Sequence, residues 1–275
     1  MDFYDELFTV KPQTDIYSVP ETDLIIIPSL NHNYQKAVKG NQELVDWIAR
    51  QHNQGAEVAS ICTGAFLLAS SGLLDGKSCS THWSVAESFR DMFPEVDLQT
   101  DKLITDEHGI YTNGGAYSFL NLIIYLIEKY YDRQTAILCS KVFQIEMDRQ
   151  NQSAFIIFKG QKMHEDKIVK EAQSYIERNV QEKISVKQLA SRFAVSRRQF
   201  DRRFAKATGN TPFEYVQRVK VEAAKKQLEV GRKTVTETMY EVGYSDASAF
   251  RRVFKEITSL SPVEYKSRYN KEAVL

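Results

Sequence analysis

The sequence predicts two folds in one 275-residue chain, an α/β parallel-sheet sandwich followed by an all-α unit. Three observations carry this. Buried-strand and helix patterns alternate through the first half, as they do in parallel α/β sandwiches. One short helical unit occurs twice between Ser185 and Tyr269. The charge, zero overall, is split along the chain. Residues 1–165 hold 13 Lys and Arg against 22 Asp and Glu, net −9, whereas residues 166–275 hold 23 against 14, net +9. Such asymmetry assigns nucleic-acid binding to the basic half and a separate task to the acidic one.

Composition sets further bounds. The length suffices for two domains with their own cores. Cys62, Cys79 and Cys139 are odd in number and widely spaced, which argues against a disulfide framework and for a reducing cytoplasm. No apolar run approaches a membrane span and no cationic-then-apolar leader opens the chain, so no membrane partner is expected. The histidines show no metal-ligand spacing; neither a metal nor another cofactor is expected.

In chain order, Met1 to Pro20 reads only as a short edge hairpin. The first strand, first helix and next strand of a complete sandwich are not evident. Asp23-Leu-Ile-Ile-Ile-Pro28 is a short apolar run, as expected of a strand buried on both faces. Leu44–Arg50 has helical spacing and stops before Gly55. Ala56–Ile61 is a second buried strand that runs into the helix Cys62–Ala69, closed by Gly72 and Gly76. Ser78–Thr81 is a short strand, Ser84–Met92 a helix, and Ile104 and Ile110–Thr112 are strands around the turn Glu107-His-Gly109. Tyr117–Tyr130 is a long apolar helix. Gln150–Glu165, polar and mixed, reads as a linker, dividing the chain into domains 1–160 and 161–275.

From Asp166 the pattern is helical. Two helix pairs are joined by a longer helix, Pro212 to about Val230, with a break at Gly231-Arg-Lys233. Each repeat is a short helix, a tight turn, and a second helix opened by Ser or Asp and rich in arginine. That is a helix-turn-helix, whose second helix enters the DNA major groove. Phe200 and Phe204, four apart, face the core with Leu189 and Phe193; Phe250 and Phe254 repeat the spacing. Arg197, Arg198, Asp201 and Arg202 are left outside on the first such helix, with Gln199 at the edge. Ala247, Ser248, Arg251 and Arg252 are outside on the second. Arginine suits a bidentate contact with guanine, and small residues allow approach to a thymine methyl. Lys206, Lys225, Lys226, Arg232, Lys233 and Lys255 are placed for phosphates.

Residues from about 167 to 270 resemble the DNA-binding domain of the AraC/XylS family of bacterial transcription regulators. The residues that carry this include Ala190, Val242-Gly-Tyr-Ser-Asp246, Phe250-Arg-Arg-Val-Phe254-Lys and Ser261-Pro-Val-Glu-Tyr265-Lys. The resemblance implies recognition helices at about Ser196–Thr208 and Asp246–Thr258. It also implies base-edge contacts from Arg198, Asp201, Arg202, Ala247, Ser248 and Arg252. Asp201, being acidic, either accepts from cytosine or orients a neighbouring arginine.

Ala59-Ser-Ile-Cys62-Thr-Gly64 sits at a strand-to-helix junction, the layout of a nucleophile elbow, with helix N–H groups that favour a thiolate. With Ser80-Thr-His82-Trp83, it resembles the ThiJ/PfpI (class I glutamine-amidotransferase-like) superfamily. More narrowly, it resembles the GlxA-like regulators that fuse this flavodoxin-like domain to an AraC-type one. Two departures stand out. Members with activity often carry His directly after the cysteine, where this chain has Thr63, and their acidic partner from the first strand is not evident.

Cys62 and His82 form a nucleophile–base pair if the strands bring them together, giving an amidase or glyoxalase-like enzyme. Otherwise they are a relic, or belong to a ligand pocket formed by Cys62, Thr63, Gly64, His82 and Trp83 in which the cysteine is a polar wall or an oxidation sensor. Cys79 and Cys139 read as inert core thiols. The expectation is a cytoplasmic, non-enzymatic transcription regulator that binds double-stranded DNA. A small-molecule effector, a second copy of the chain and RNA polymerase are its further expected partners.

Overall fold

The computed structural model describes residues 2–3, 8–31 and 33–270, and side chains from Val10 onward with His32 excepted. The chain divides into two compact units, 1–152 and 153–275.

In the first unit, β1 (Asp2–Phe3) pairs antiparallel with β2 (Phe8–Thr9), the hairpin expected there; its turn lies outside the described residues. The main sheet consists of β3 (Leu24–Ile27), β4 (Glu57–Ile61), β7 (Ile104–Asp106) and β8 (Ile110–Asn113), in the order β3-β4-β8-β7. The first three are parallel, with Ile25 opposite Val58 and Val58 opposite Ile110. β7 runs antiparallel to β8, so the sheet is mixed rather than all-parallel. The reason is local: Glu107-His-Gly109 folds back on itself, with His108 and Gly109 both at positive φ. A second small sheet pairs β5 (Ser78–Cys79) with β6 (Asp97–Leu98).

The period-two alternation of a strand separates the two faces of the main sheet. Ile25, Ile27, Val58 and Ile110 pack with α2 (Gln42–Asn53), α3 (Ala65–Ser70) and α4 (Ala86–Met92). On the other face Ala59 and Tyr111 pack with Leu122 and Leu126 of α5 (Phe119–Tyr130). Both faces of the central strands β4 and β8 are covered, but β3 is an edge strand whose Ile26 is 43 % exposed, so its apolar run is not buried on both faces, contrary to the expectation from sequence. Two helices escaped the sequence reading, α1 (Tyr34–Gly40) and α6 (Arg133–Phe143). On α6 the buried residues are the small Ala136 and Ser140, whereas the bulky apolar Leu138, Val142 and Phe143 are more than 60 % exposed, so no large apolar stripe marks the helix. Cys79 is buried as expected, its thiol pushed up to about 12 by desolvation. Cys139 is half-exposed on α6 and is not a core thiol.

The second unit is helical: α7 (Lys167–Arg178), α8 (Val186–Arg192), α9 (Arg197–Thr208), α10 (Pro212–Val230), α11 (Val235–Glu241), α12 (Ala247–Thr258) and α13 (Pro262–Tyr269). Capping boxes open α10, α11 and α13: Thr211 with Glu214, Thr234 with Glu237, Ser261 with Glu264. Each satisfies two otherwise orphaned N–H groups, a contribution of about 1 kcal/mol per cap.

Gln150–Glu165 does not behave as a free linker. Asn151 pairs with Lys102 in the first unit. From Ser153 onward the chain lies against the helices of the second. A single turn at Ser153–Phe155 packs on α12. Lys225 Nζ donates to the Ile156 carbonyl, and the Phe158 N–H donates to Glu222, 3.1 Å away. The Phe158 ring meets Tyr215 edge-on at 5.2 Å, and Gln173 donates to the Gln161 carbonyl at 2.6 Å.

Two separate apolar clusters fill this unit, one around Phe200, Phe204 and Tyr215, the other around Phe250, Phe254 and Tyr265. The side chain of Phe254 is fully buried, so Phe254→Ala should destabilise this unit by about 3–5 kcal/mol. Urea unfolding followed by circular dichroism checks this. The first unit's transition should stay in place, and a joint shift of both transitions would contradict the separation.

Candidate functional site

The repeated motif is built the same way twice. In the first copy Leu189 and Ala190 bury α8, and the Val195 N–H returns to the Ala190 carbonyl at 3.1 Å. In the second the Tyr244 N–H returns to the Met239 carbonyl at 3.0 Å. Both turns pass through a left-handed residue, Ala194 at φ 51° and Gly243 at φ 74°. Ser196 and Asp246 cap the following helices by accepting from the N–H of Gln199 and Ala249. The helices observed after these caps, α9 and α12, match the bounds expected from the sequence.

Each of these helices is then pinned by its phenylalanine pair. Phe200 and Phe204 are fully buried, and the Phe204 ring meets Tyr215 of α10 at 5.2 Å, close to perpendicular. Phe254 meets Tyr265 of α13 in the same way at 5.5 Å. With that side fixed inward, Arg197, Arg198, Gln199 and Arg202 are exposed on α9, as are Ala247, Ser248, Arg251 and Arg252 on α12. Asp201 is half-exposed and accepts from Arg197 Nε at 2.8 and 2.9 Å, so it orients a neighbouring arginine. Arg203 turns the other way: Nε and Nη2 each donate to Asp166 at 2.8 Å, a bidentate pair that ties α9 to the cap of α7. That hydrogen bonding holds the Asp166 carboxyl below its ordinary pKa.

Among the residues expected at phosphates, Lys206, Lys226, Arg232 and Lys255 are exposed. Lys225 is not available. It is buried and bonded to Glu222 at 2.8 Å as well as to the Ile156 carbonyl. Lys233 is paired with Glu241.

In the first unit Cys62 does stand on an elbow, at φ 54°, between β4 and α3. Its N–H donates to Asn113 Oδ1 at 3.0 Å and its carbonyl accepts from Thr81 Oγ1 at 2.8 Å. Asn113, Thr81 and Ser29 were missed from sequence, because the fold, not spacing, brings them to the elbow. The thiolate expected there is not favoured. Cys62 is 5 % exposed, and desolvation pushes its thiol up, against the smaller lowering effect of hydrogen bonds from the Thr63 and Gly115 N–H groups and Ser29.

His82 follows Thr81, which bonds the Cys62 carbonyl, but its own hydrogen bonds go elsewhere. Its Nδ1 bonds Ser84 Oγ at 2.8 Å and accepts from the Ser84 N–H at 3.2 Å, and no hydrogen bond joins it to Cys62 among the described residues. Burial lowers its pKa. Thr63 is engaged with Leu30, donating to its carbonyl at 3.1 Å and accepting from its N–H at 2.8 Å. A side chain at Gly64 would lie 2.6 Å from the Pro28 carbonyl, so the elbow is seated directly on the end of β3. Trp83 is half-buried with its ring 5.4 Å from that of His82.

Comparisons with known proteins agree with both halves. Residues 5–128 match the DJ-1/PfpI family, and residues 189–268 match the Helix-turn-helix domain. The HTH-type transcriptional regulator GbdR of Pseudomonas aeruginosa is 26 % identical over 254 residues, which is 92 % of this chain and 68 % of GbdR. The HTH-type transcriptional regulator GlxA of Rhizobium meliloti is 24 % identical over 226 residues, 80 % of this chain and 68 % of GlxA. The isonitrile hydratase of Pseudomonas putida is 29 % identical over 129 residues, 46 % of this chain and 54 % of that enzyme. The chain thus spans about two-thirds of the length of the two regulators. It joins a DJ-1/PfpI-family domain to an AraC-type helix-turn-helix domain, the architecture of these HTH-type transcriptional regulators.

Proposed function

We propose that this chain is a sequence-specific transcription regulator in which α9 and α12 read two successive major-groove segments of one DNA duplex. The observation that carries the reading is the repeat of one presentation. In both motifs a buried phenylalanine pair turns an arginine-bearing face outward, within the half of the chain that carries net +9. Arg198 and Arg202 from α9 and Arg252 from α12 are the base-reading arginines, beside the small residues Ala247 and Ser248. Asp201 acts by holding Arg197 and does not itself read cytosine. Gln199 and Arg251 flank these faces, and Lys206, Lys226, Arg232 and Lys255 take phosphates.

The DJ-1/PfpI domain serves as a sensing or dimerisation unit. Its ligand contacts fall to the Cys62–Gly64 elbow with His82 and Trp83. A bound effector, or a second copy of the chain, changes the placement of the DNA-binding domains, and RNA polymerase is the further partner of a regulator acting in the cytoplasm. An enzymatic role for Cys62 finds no support in its surroundings: the thiol is desolvated, His82 is bonded to Ser84, and Thr63 is engaged with Leu30.

Arg202→Ala and Arg252→Ala should each lower specific DNA affinity by about 1–3 kcal/mol and relax selectivity at one position of the site, as read by competition binding. Arg203→Ala should leave base selectivity intact and lower thermal stability; unchanged affinity and selectivity in both the Arg202 and Arg252 variants would sink the reading. Because burial raises the Cys62 pKa, its thiol stays protonated at neutral pH. Iodoacetamide at pH 7.5 should therefore label half-exposed Cys139 before Cys62, as followed by peptide mass spectrometry. Preferential labelling of Cys62 would instead reveal an activated nucleophile.

A further inference from the structure

The two helix-turn-helix motifs meet at the middle of α10, and the contact is built around a single charge. Lys220 is 5 % exposed, and its Nζ donates to the carbonyls of Val180 at 2.7 Å, Glu182 at 2.9 Å and Val242 at 2.6 Å. An ammonium has three N–H donors, so all are used. Val180 and Glu182 follow the end of α7 on the way into the first motif, whereas Val242 caps α11 in the second. The charge therefore sits between the loop that follows α7 and the C-terminal end of α11, where Val242 offers a carbonyl at the negative end of the helix dipole. Burial among these carbonyls lowers the Lys220 pKa to about 8.

The backbone around this ammonium is close-packed. A Cβ at Gly243 would lie 2.5 Å from both Lys220 Nζ and the Gln181 carbonyl, so the turn of the second motif abuts the 180–182 loop with no side chain between them. Val180 packs against both apolar clusters of the unit. The recognition helices, by contrast, are each seated in one cluster, α9 through Phe200 and Phe204, α12 through Phe250 and Phe254.

We propose that Lys220 is a positioning residue that fixes the offset between α9 and α12, and with it the spacing between the two half-motifs this protein accepts in DNA. The inference rests on the reading that both helices enter the groove. Each motif is held internally by its own cluster, and Lys220 joins the turn of one to the loop that enters the other. Without the ammonium, three buried carbonyls lose their donor and the Gly243 turn is free to shift against the 180–182 loop. The offset then varies, and sites of altered spacing are tolerated.

The test uses the full chain and a bipartite site selected by the wild-type protein. Wild type, Lys220→Gln and Lys220→Arg are bound to that site and to versions with one base pair inserted or removed between the half-motifs. One base pair rotates a half-motif by about a tenth of a turn, and wild type should discriminate by on the order of tenfold or more, the size of one lost base contact. In Lys220→Gln discrimination should fall to about threefold or less, with both cores intact by circular dichroism, and Lys220→Arg should restore part of it. A folded Lys220→Gln protein with wild-type spacing discrimination overturns the proposal. Collapse of both motifs in that variant does so too, by making Lys220 a residue of the fold and not of the joint. If wild type itself selects no bipartite site, the DNA reading fails and this inference falls with it.

Discussion

A phenylalanine pair four residues apart, locked against a tyrosine of the following helix, decides what the second half of this molecule presents to solvent. Phe204 against Tyr215 and Phe254 against Tyr265 are the same edge-to-face contact at nearly the same distance. Residues four apart lie on one helix face, so burying the pair sets which face of α9 and of α12 turns inward. Everything outward follows from that. Arg198, Arg202, Arg251 and Arg252 are exposed because Phe200, Phe204, Phe250 and Phe254 are not. Arg203, facing away, is taken up by Asp166 in holding the unit together.

In the first half the fold holds the Cys62 elbow closely. The strand–turn–helix layout places Cys62 at positive φ, the conformation an elbow requires. His82 is bonded within its own turn, Thr63 spans to Leu30, and burial disfavours the ionised form of the cysteine. Its N–H and carbonyl are held by Asn113 and Thr81, which makes the elbow a rigid junction between the sheet and α3.

Much of this was legible in the sequence, for physical reasons. The run Glu57–Ile61 marked a strand covered on both faces, whereas the apolar run Leu24–Ile27 lies at the sheet edge with Ile26 exposed, and the repeated Phe spacing marked the outward faces of α9 and α12, with Asp201 only half-exposed. What escaped has a common cause: it depends on partners distant in sequence or on backbone atoms. Residues 153–164 look like a polar linker because their hold comes from carbonyls and N–H groups bonded to Lys225, Glu222 and Gln173. Lys225 looks like a phosphate ligand, and Lys220 carries no signal at all, because nothing in a helical pattern marks a lysine that is to be buried among carbonyls. Helix α6 buries only the small Ala136 and Ser140 while its bulky Leu138, Val142 and Phe143 are exposed, and the hydrogen bond of His82 to Ser84, two residues away, leaves no mark in a spacing pattern.

The central claim is that one chain reads two groove segments through α9 and α12. Selection of binding sites from random-sequence duplex DNA by the purified protein, at about 0.15 M salt where weak non-specific contacts are largely suppressed, tests it most directly. The account predicts enrichment of a bipartite site whose two motifs are about one helical turn apart. Binding that is sensitive to salt and enriches no motif would contradict it.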